Sequence, residues 1–396
     1  MRMDYRMNMN QNENKTNAII LGAGMVGSTM AADLSQDDGF TVTIADKRGE
    51  ALARVSKNHP GVETVKCDLG NPDAITNLVT DYDIVLGALS SVIGFQSLRA
   101  VIEAGRNFCD ICFMPEDALV LNDLAVEKGV TAVVDNGVAP GMSNMLVGYA
   151  ETQMDEVEEV GIFVGGLPME RHWPFEYKAG FSPYDVIEEY TRPARMVENG
   201  AIVEREALTE AELLDFAGIG TLEAVNTDGL RSLIRTVKAR RMYEKTLRYP
   251  GHYELMRVLR HMGLFSHDAV AVGAEGVMVR PIDVTSALMF PQWKYEEGEG
   301  DLTVMRVMVT GLKDGVRMTY QWDLYDEYDP EAGLSSMSRT TAFPNTIVAR
   351  MVAGGKYDEP GVHAPEDLGR KHRVLEFVLD ELSKRNIIFN ATTRIG

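Results

Sequence analysis

NAIILGAGMVG, residues 17–27, joins a short apolar run to a glycine-rich turn. The run ends at Leu21 and has the continuous apolar character of a strand buried on both faces of a parallel sheet. Three glycines follow with the spacing G-x-G-x-x-G, namely Gly22, Gly24 and Gly27. Helical spacing of apolar residues begins at Met25, so the glycines lie in a strand-to-helix turn. This order predicts the first unit of a doubly wound α/β fold.

The turn predicts a dinucleotide site, because each glycine has a physical task. The first permits the tight turn, the second lets the backbone approach a pyrophosphate, and the third lets helix and strand pack closely. The N-terminus of the helix then offers free N–H groups to the phosphates. Asp46 ends the second predicted strand, where a carboxylate can accept both ribose hydroxyls of NAD. Lys47 and Arg48 follow and can hold a 2′-phosphate, so the sequence predicts NAD and leaves NADP open.

From Asn17 to about residue 145, short apolar strands alternate with helices, which is typical of a Rossmann domain with a parallel sheet. In this fold, ligands bind beyond the carboxyl ends of the strands. By this rule the predicted cofactor-binding residues are Gly22, Gly24, Met25, Val26, Gly27, Asp46, Asp68, Ala88, Leu89 and Gly137. Ser90 and Ser91 follow the fourth strand, so we expect them to face the substrate.

Beyond residue 145 the pattern changes to that of an α+β domain with a mixed or antiparallel sheet. Strand-like segments lie at 157–166, 280–290, 301–311 and 315–326. Lys313-Asp314-Gly315 is a hairpin turn between the last two. Helical patterns return at 341–353 and 366–385, whereas residues 1–16 are polar and predict a flexible tail.

The composition excludes several classes of function. The 396 residues contain 39 Lys and Arg against 59 Asp and Glu, a net charge of −20, which argues against nucleic-acid and anionic-membrane partners. No apolar run is long enough to span a bilayer. Three cysteines in so long a chain suit a reducing compartment, so we expect a cytoplasmic protein. The pair Cys109 and Cys112 lacks the second pair that a zinc site needs, so we expect no metal.

Several segments identify a family resemblance. VDNGVAPGMSNML (134–146), YEKTLRYPGH (243–252), SMSRTTAFP (336–344) and GVHAPE (361–366) resemble the saccharopine dehydrogenase family. The strand ending in VGGLP (164–168) makes the chain most similar to lysine 6-dehydrogenases within it. The resemblance implies a homodimer and a substrate and dimerisation domain inserted into a split Rossmann domain. The implied organisation is 17–145, 146–335 and a segment 336–396 that returns to the Rossmann domain.

The resemblance also implies roles for particular residues. Arg248 and Arg339 would bind the carboxylate of an amino-acid substrate, and Thr340 follows Arg339 in the same motif. From position alone, we expect His172, after the VGGLP strand, and Ser90 and Ser91, after the fourth predicted strand, to line the substrate cleft. Asp110 or His252, or a bound water molecule, would act as the general base that takes the proton of the amine. Cys112-Phe113 stands where lysine 6-dehydrogenases have glycine and histidine, which leaves the substrate open.

The predicted reaction is NAD(P)-dependent oxidative deamination of the ε-carbon of L-lysine, giving allysine and its cyclic piperideine carboxylate. A glutamate-forming saccharopine dehydrogenase and a carboxynorspermidine-type dehydrogenase are the enzymatic alternatives. A protein that binds NAD without turnover is the alternative of another class.

Overall fold

The computed structural model describes residues 15–296 and 298–396, so nearly all of the tail predicted for residues 1–16 lies outside the described residues. Strands and helices alternate up to residue 133: β1 (Thr16–Leu21), α1 (Met25–Ser35), β2 (Phe40–Asp46), α2 (Gly49–Asn58), β3 (Glu63–Lys66), α3 (Pro72–Val79), β4 (Ile84–Gly87), α4 (Ser91–Glu103), β5 (Asn107–Asp110), α5 (Asn122–Lys128) and β6 (Thr131–Val133). A 3-10 turn (Ala118–Leu121) precedes α5.

The remaining elements follow α6 (Met142–Thr152). They are β7 (Glu156–Pro168), α7 (Pro183–Thr191), β8 (Ala194–Glu198), β9 (Ala201–Arg205), β10 (Glu212–Phe216), β11 (Gly220–Asn226), α8 (Leu233–Thr236), β12 (Ala239–Arg248), α9 (His252–His261), β13 (Val270–Val272), β14 (Val277–Val279), α10 (Pro281–Met289), β15 (Asp301–Lys313), β16 (Val316–Glu327), α11 (Ser336–Ala353), β17 (Gly361–His363), α12 (Pro365–Gly369), α13 (His372–Ser383) and β18 (Phe389–Ile395).

The first sheet confirms the predicted Rossmann fold. Its seven strands are parallel in the order β17-β6-β5-β4-β1-β2-β3. Helices on both sides cover it, so Ala18 to Leu21 of β1 are completely buried and the strand needs no polar face. The strand order reverses beside β1 and β4, the place at which such sheets bind ligands.

The second sheet has nine strands and is mixed, as the sequence predicted. Its main path is β10-β11-β12-β7-β15-β16-β18, and β8 and β9 attach through β12. Strands β12 and β7 are parallel, whereas the other neighbours are antiparallel. Asp314 and Gly315 form the turn between β15 and β16 with φ of 52° and 75°, which confirms the predicted hairpin.

The C-terminal segment joins both sheets. Helix α11 packs against α1 and β5, and the Asn345 side chain donates a hydrogen bond to the carbonyl oxygen of Cys109 at 3.1 Å. Strand β17 then completes the first sheet, whereas β18 pairs with β16 in the second. Residues 336–395 therefore connect the two sheets.

The strand predicted at 280–290 is wrong, because this segment forms helix α10. Its β-branched residues suggested a strand, but Pro281 occupies the first helical turn, where its missing N–H has no cost. Ile282, Thr285, Ser286 and Met289 are the buried residues, and their spacing is helical.

Within the described residues, no helix combines the length and apolar character that crossing a membrane requires.

Candidate active site

A cavity of about 870 Å³ opens between the carboxyl ends of the first sheet and one face of the second. Nine of the ten predicted cofactor-binding residues line it: Gly22, Gly24, Met25, Val26, Gly27, Asp46, Ala88, Leu89 and Gly137. The opposite wall comes from β7, β12, α7 and α11. The cavity therefore runs continuously from the glycine turn to the second domain.

The glycine turn leaves space only on its cavity side. A Cβ on Gly22, whose φ is +108°, would lie 2.4 Å from the carbonyl oxygen of Ala88. A Cβ on Gly27 would lie 1.9 Å from the carbonyl oxygen of Gly22. At Gly24, a Cβ would meet no protein atom within 4 Å, and no side chain caps the N-terminus of α1 there. The turn thus fits a pyrophosphate against free N–H groups.

Asp46 lies in this end of the cavity and is fully hydrogen-bonded. Its carboxylate accepts the backbone N–H of Ala23 at 2.9 Å and a two-pronged contact from Arg48 at 3.0 and 2.8 Å. Burial by itself would raise the pKa of Asp46, but these hydrogen bonds lower it to about 2. Lys47, Arg48 and Arg54 also line the cavity, so three cations lie near Asp46 at this end. Asp68 is not a lining residue: it turns outward to accept the N–H of Gly70, which lines the cavity instead.

One face of β12 forms the far wall. Glu244, Thr246 and Arg248 line the cavity at alternate positions because side chains alternate between the faces of a strand. Arg248 is almost completely buried, and its guanidinium lies 4.6 Å over the Tyr177 ring. It donates hydrogen bonds to the Tyr190 hydroxyl (3.1 Å), the Leu247 carbonyl (2.9 Å) and Glu189 (3.2 Å). These contacts fix the guanidinium at the cavity wall.

Carboxyl groups outnumber cations at this end of the cavity: Asp185, Glu189, Asp228 and Glu244 line it with Arg248. Burial raises the pKa of Glu189 to about 7 and that of Glu244 to about 8. Ser91 does not line the cavity but donates its hydroxyl to Asp185 at 2.6 Å, and its neighbour Ser90 is a lining residue.

Asp110 lies behind the cavity wall. The lining residues on its C-terminal side are Ile111 and Phe113, while its carboxyl group packs against Gly87 and accepts the N–H of Cys112 at 3.1 Å. Burial raises its pKa to about 7, and the nearby charge of Asp135 acts in the same direction. Asp110 is therefore next to the site without facing it directly.

The structure does not bring His252 to the cavity, which corrects its predicted role as a proton acceptor. The ring is completely buried, with Nε2 2.9 Å from the Tyr190 hydroxyl and Nδ1 2.8 Å from the Phe175 carbonyl. Burial, and then the charge of Arg248, lower its pKa to about 3. The His252 ring packs against Tyr177 and Tyr190, the two rings that lie next to the Arg248 guanidinium.

Three other predicted substrate residues also point elsewhere. Arg339 donates to the carbonyl oxygens of Glu327 (3.0 Å) and Arg385 (2.9 Å), and Thr340 bonds within its own helix. Helical spacing presents Met337 and Thr341 to the cavity, not these two residues. His172 is half-exposed in the loop after β7, near acidic side chains and outside the cavity.

Sequence reasoning missed the lining residues of α7 and of the loop after β11. Asp185 and Glu189 are one helical turn apart on α7, and Thr227 and Asp228 follow β11. None belongs to a recognisable motif. Glu244 could have been found from the sequence. It precedes Arg248 by four residues in a strand, so both side chains lie on the same face.

A dinucleotide-type glycine turn that opens into a cavity with a buried arginine on its far wall is the arrangement of an NAD(P)-dependent oxidoreductase. A family model described as "Saccharopine dehydrogenase C-terminal domain" matches residues 137–388, and one described as "Saccharopine dehydrogenase NADP binding domain" matches residues 18–133. The chain belongs to the saccharopine dehydrogenase family, whose members are dehydrogenases acting on an amino-acid C–N bond.

Curated relatives differ in what their names say they act on. Saccharopine dehydrogenase (NADP(+), L-glutamate-forming) of Schizosaccharomyces pombe is 21% identical, over 93% of this chain and 97% of its own. Carboxyaminopropylagmatine dehydrogenase of Synechocystis is 24% identical, over 88% and 92%. Mouse alpha-aminoadipic semialdehyde synthase is 21% identical, over 96% of this chain and 48% of its own.

The fold has a solved counterpart. Apo saccharopine dehydrogenase (L-Glu forming) from Saccharomyces cerevisiae superposes with a TM-score of 0.78 at 18% identity, covering 96% of this chain and all of that one. The shared fold confirms the two-sheet architecture.

Proposed function

We propose that this protein oxidises the side-chain amine of a cationic amino acid, with the ε-amine of L-lysine as the first candidate. The observation that carries the proposal is the charge of the cavity. Arg248 is the one guanidinium on its far wall in the described chain, and Asp185, Glu189, Asp228 and Glu244 stand around it. One cation suits one substrate carboxylate, and the carboxyl groups suit amines.

A saccharopine-like adduct fits this charge balance less well. It combines two amino acids and so carries additional carboxylates, each of which needs a cation or a hydrogen-bond donor once it is buried. Lysine offers one carboxylate and two amines. Arg248 would match that carboxylate, since a guanidinium can bind both of its oxygens.

In this proposal, different residues bind the coenzyme, the substrate carboxylate and the substrate methylenes. The turn Gly22–Gly27 and the N-terminus of α1 would hold NAD(P), which accepts a hydride when bound. Arg248 would hold the substrate carboxylate, and the apolar lining residues Val164, Phe181 and Met337 would pack against the substrate methylenes and exclude water. A neutral amine is required, so one buried carboxyl group must take its proton.

A second candidate is a carboxyalkyl polyamine, as the name of the cyanobacterial relative suggests. The same carboxyl groups favour it, because such a substrate also combines few carboxylates with several cations. The test is a panel of L-lysine, saccharopine and carboxynorspermidine, each with NAD⁺ and NADP⁺, followed by absorbance of the reduced coenzyme. Turnover with saccharopine alone contradicts the proposal. Tight NADH binding without turnover of any panel member favours the non-catalytic alternative.

We also propose that NADP is accepted beside NAD. Three cations, Lys47, Arg48 and Arg54, line the cavity next to Asp46. Arg48 is more than half exposed and only has to rotate away from Asp46 to meet a 2′-phosphate.

A cytoplasmic location remains a prediction, based on three free cysteines.

Finally, we propose that the chain forms a homodimer through an apolar surface of residues 252–289. Nine large apolar side chains of this segment are exposed: Leu255, Val258, Met262, Val270, Val272, Val277, Met278, Val284 and Leu288. A standard interface buries roughly 800 Å² on each partner, so burial against a second copy would remove these apolar side chains from water. The hairpin β13–β14 has only two strands, which are marginally stable without a partner.

Light scattering tests the dimer. The unmodified protein should have twice the chain mass, and Val272→Lys should be monomeric because a charge would enter the apolar contact. The matched control is Val120→Lys, at an exposed valine outside this surface. A monomeric unmodified protein contradicts the proposal, as does a Val272→Lys dimer of unchanged stability.

A further inference from the structure

The carboxyl groups that line the cavity differ in what they bind. Asp46 pairs with Arg48, Glu189 with Arg248, and Asp228 accepts a two-pronged contact from Arg195 at 2.9 and 2.8 Å. Asp185 accepts the Ser91 hydroxyl. Glu244 has no ion-pair partner in residues 15–296 and 298–396, although it is only 5% exposed.

Glu244 is held in place from one side. The hydroxyl of Thr227 donates to Oε2 at 2.5 Å. The loop after β11 approaches so closely that a Cβ on Gly229 would lie 2.4 Å from the same oxygen. A buried carboxyl group without a cation is costly, unless it is neutral or a ligand supplies the cation. Glu244 lines the cavity, so a bound ligand can supply that cation.

We propose that Glu244 receives the reacting ammonium group of the substrate and takes its proton. The inference rests on the proposed amine oxidation and names its general base. The step is R–CH₂–NH₃⁺ with Glu–COO⁻ giving R–CH₂–NH₂ with Glu–COOH: one N–H bond breaks and one O–H bond forms. The neutral amine can then release a hydride from its carbon to the bound coenzyme. Arg248, four residues along the same strand face, holds the carboxylate at the other end.

The electrostatics of the cavity agree with this role. Burial raises the pKa of Glu244 to about 8, and the charges of Glu189 on α7 and Asp228 on the loop act in the same direction. The Thr227 hydroxyl opposes them, because it stabilises the ionised carboxylate. A base with a pKa near the working pH is suited to proton transfer. Asp110, the candidate from sequence, lies behind the wall and does not line the cavity.

Kinetics of Glu244→Gln test the proposal. With the panel substrate that the unmodified protein oxidises, kcat should fall about 10²- to 10⁴-fold at pH 9. In the unmodified protein, kcat/KM should rise with pH and level near pH 8, and this limb should be absent in Glu244→Gln. Thr227→Val should move the limb to higher pH, because the ionised carboxylate loses its hydrogen bond. An unchanged rate and pH profile in Glu244→Gln overturns the proposal.

The matched control is Glu366→Gln. Glu366 is also a buried carboxyl group that accepts a threonine hydroxyl, from Thr236, and burial also raises its pKa, but it does not line the cavity. Its variant should keep the pH profile. NADH fluorescence titration and thermal unfolding of each variant separate a folding defect from a catalytic one, since only folded protein binds NADH at the unmodified affinity.

Calorimetry separates this inference from the proposed reaction. L-lysine titrated into the NADH-loaded protein at pH 7 should release about one proton, detected in two buffers of different ionisation enthalpy, and Glu244→Gln should release none. If no panel member is oxidised but this difference is found, the proposed reaction fails and Glu244 still binds the ammonium. If lysine is oxidised but the two proteins release the same number of protons, only the role of Glu244 is refuted. If lysine does not bind, both fail.

Discussion

Replacing Arg248 by methionine is the most informative single change at the site. Methionine keeps much of the length and volume and removes the charge. The variant loses donors to the Tyr190 hydroxyl, the Leu247 carbonyl and Glu189, together with the proposed contact to the substrate carboxylate. It therefore tests a binding role and a structural role at once.

The two roles have different magnitudes. Hydrogen bonds to charged groups contribute about 1.5–3 kcal/mol each, so even a partly compensated pair costs about 3 kcal/mol of substrate binding. At 1.4 kcal/mol per factor of ten, kcat/KM for L-lysine should fall roughly 100-fold. Breaking a buried ion pair usually costs about 3–5 kcal/mol of stability. Glu189 has a pKa of about 7, so it becomes neutral at little cost, and we expect a loss nearer 2 kcal/mol.

The assay compares two substrates that differ only in the carboxylate. L-lysine has it, whereas 1,5-diaminopentane does not. Arg248→Met should lower kcat/KM for L-lysine alone. The much lower kcat/KM for the diamine should stay within about twofold of its value in the unmodified protein, since the diamine makes no contact with the guanidinium. Equal losses for both substrates would refute carboxylate binding and leave Arg248 as a purely structural residue.

Three further predictions concern the coenzyme and stability. Arg48→Ala should raise the KM for NADP⁺ at least tenfold and that for NAD⁺ little, measured by steady-state kinetics; equal effects would exclude a 2′-phosphate contact. Gly27→Ala should abolish NADH binding in a fluorescence titration, because its Cβ would lie 1.9 Å from a carbonyl oxygen, whereas Gly61→Ala, with no atom within 4 Å, should bind normally. Glu244 has a folded-state pKa of about 8 against 4.5 unfolded, so its contribution to stability is lost as the pH rises between these values. Denaturant unfolding at pH 5 and pH 7 measures this loss as the fall in the free energy of unfolding between the two pH values. The fall should be smaller in Glu244→Gln than in the unmodified protein, by about 1–3 kcal/mol. Equal falls in the two proteins would show that Glu244 ionises normally.

The Rossmann half could be predicted because its signals are local. A buried strand, three glycines and a helix occupy eleven consecutive residues, and their backbone requirements do not depend on distant contacts. The second domain depends on long-range pairing, such as the parallel alignment of β12 with β7 and the return of β18 to β16. No local pattern encodes which strands will meet. The helix at 281–289 was missed for a related reason: β-branched residues favour strands only until tertiary packing supplies a helical face.

Motifs located the site but could not orient its side chains. Arg248 and His252 stand in one motif, yet Arg248 ends a strand that faces the cavity, while His252 begins a helix that turns into the core after Gly251, where φ is +98°. Arg339 and Thr341 are two residues apart on α11, and helical rotation presents only Thr341 to the cavity. Which face of an element is buried is decided by what packs against it.

The sequence by itself determined the coenzyme-binding fold, the glycine turn with Asp46, the family, and Arg248 as a residue of the site. These follow from local backbone geometry and from motifs that stay together along the chain. Only the tertiary structure decided that Asp185, Glu189, Asp228 and Glu244 surround one arginine, since they come from three separate segments. Burial between the two sheets raises the pKa of Glu189 and Glu244, because a low-dielectric cavity disfavours charge. This shift depends on the surrounding structure, so it cannot be inferred from either residue type alone.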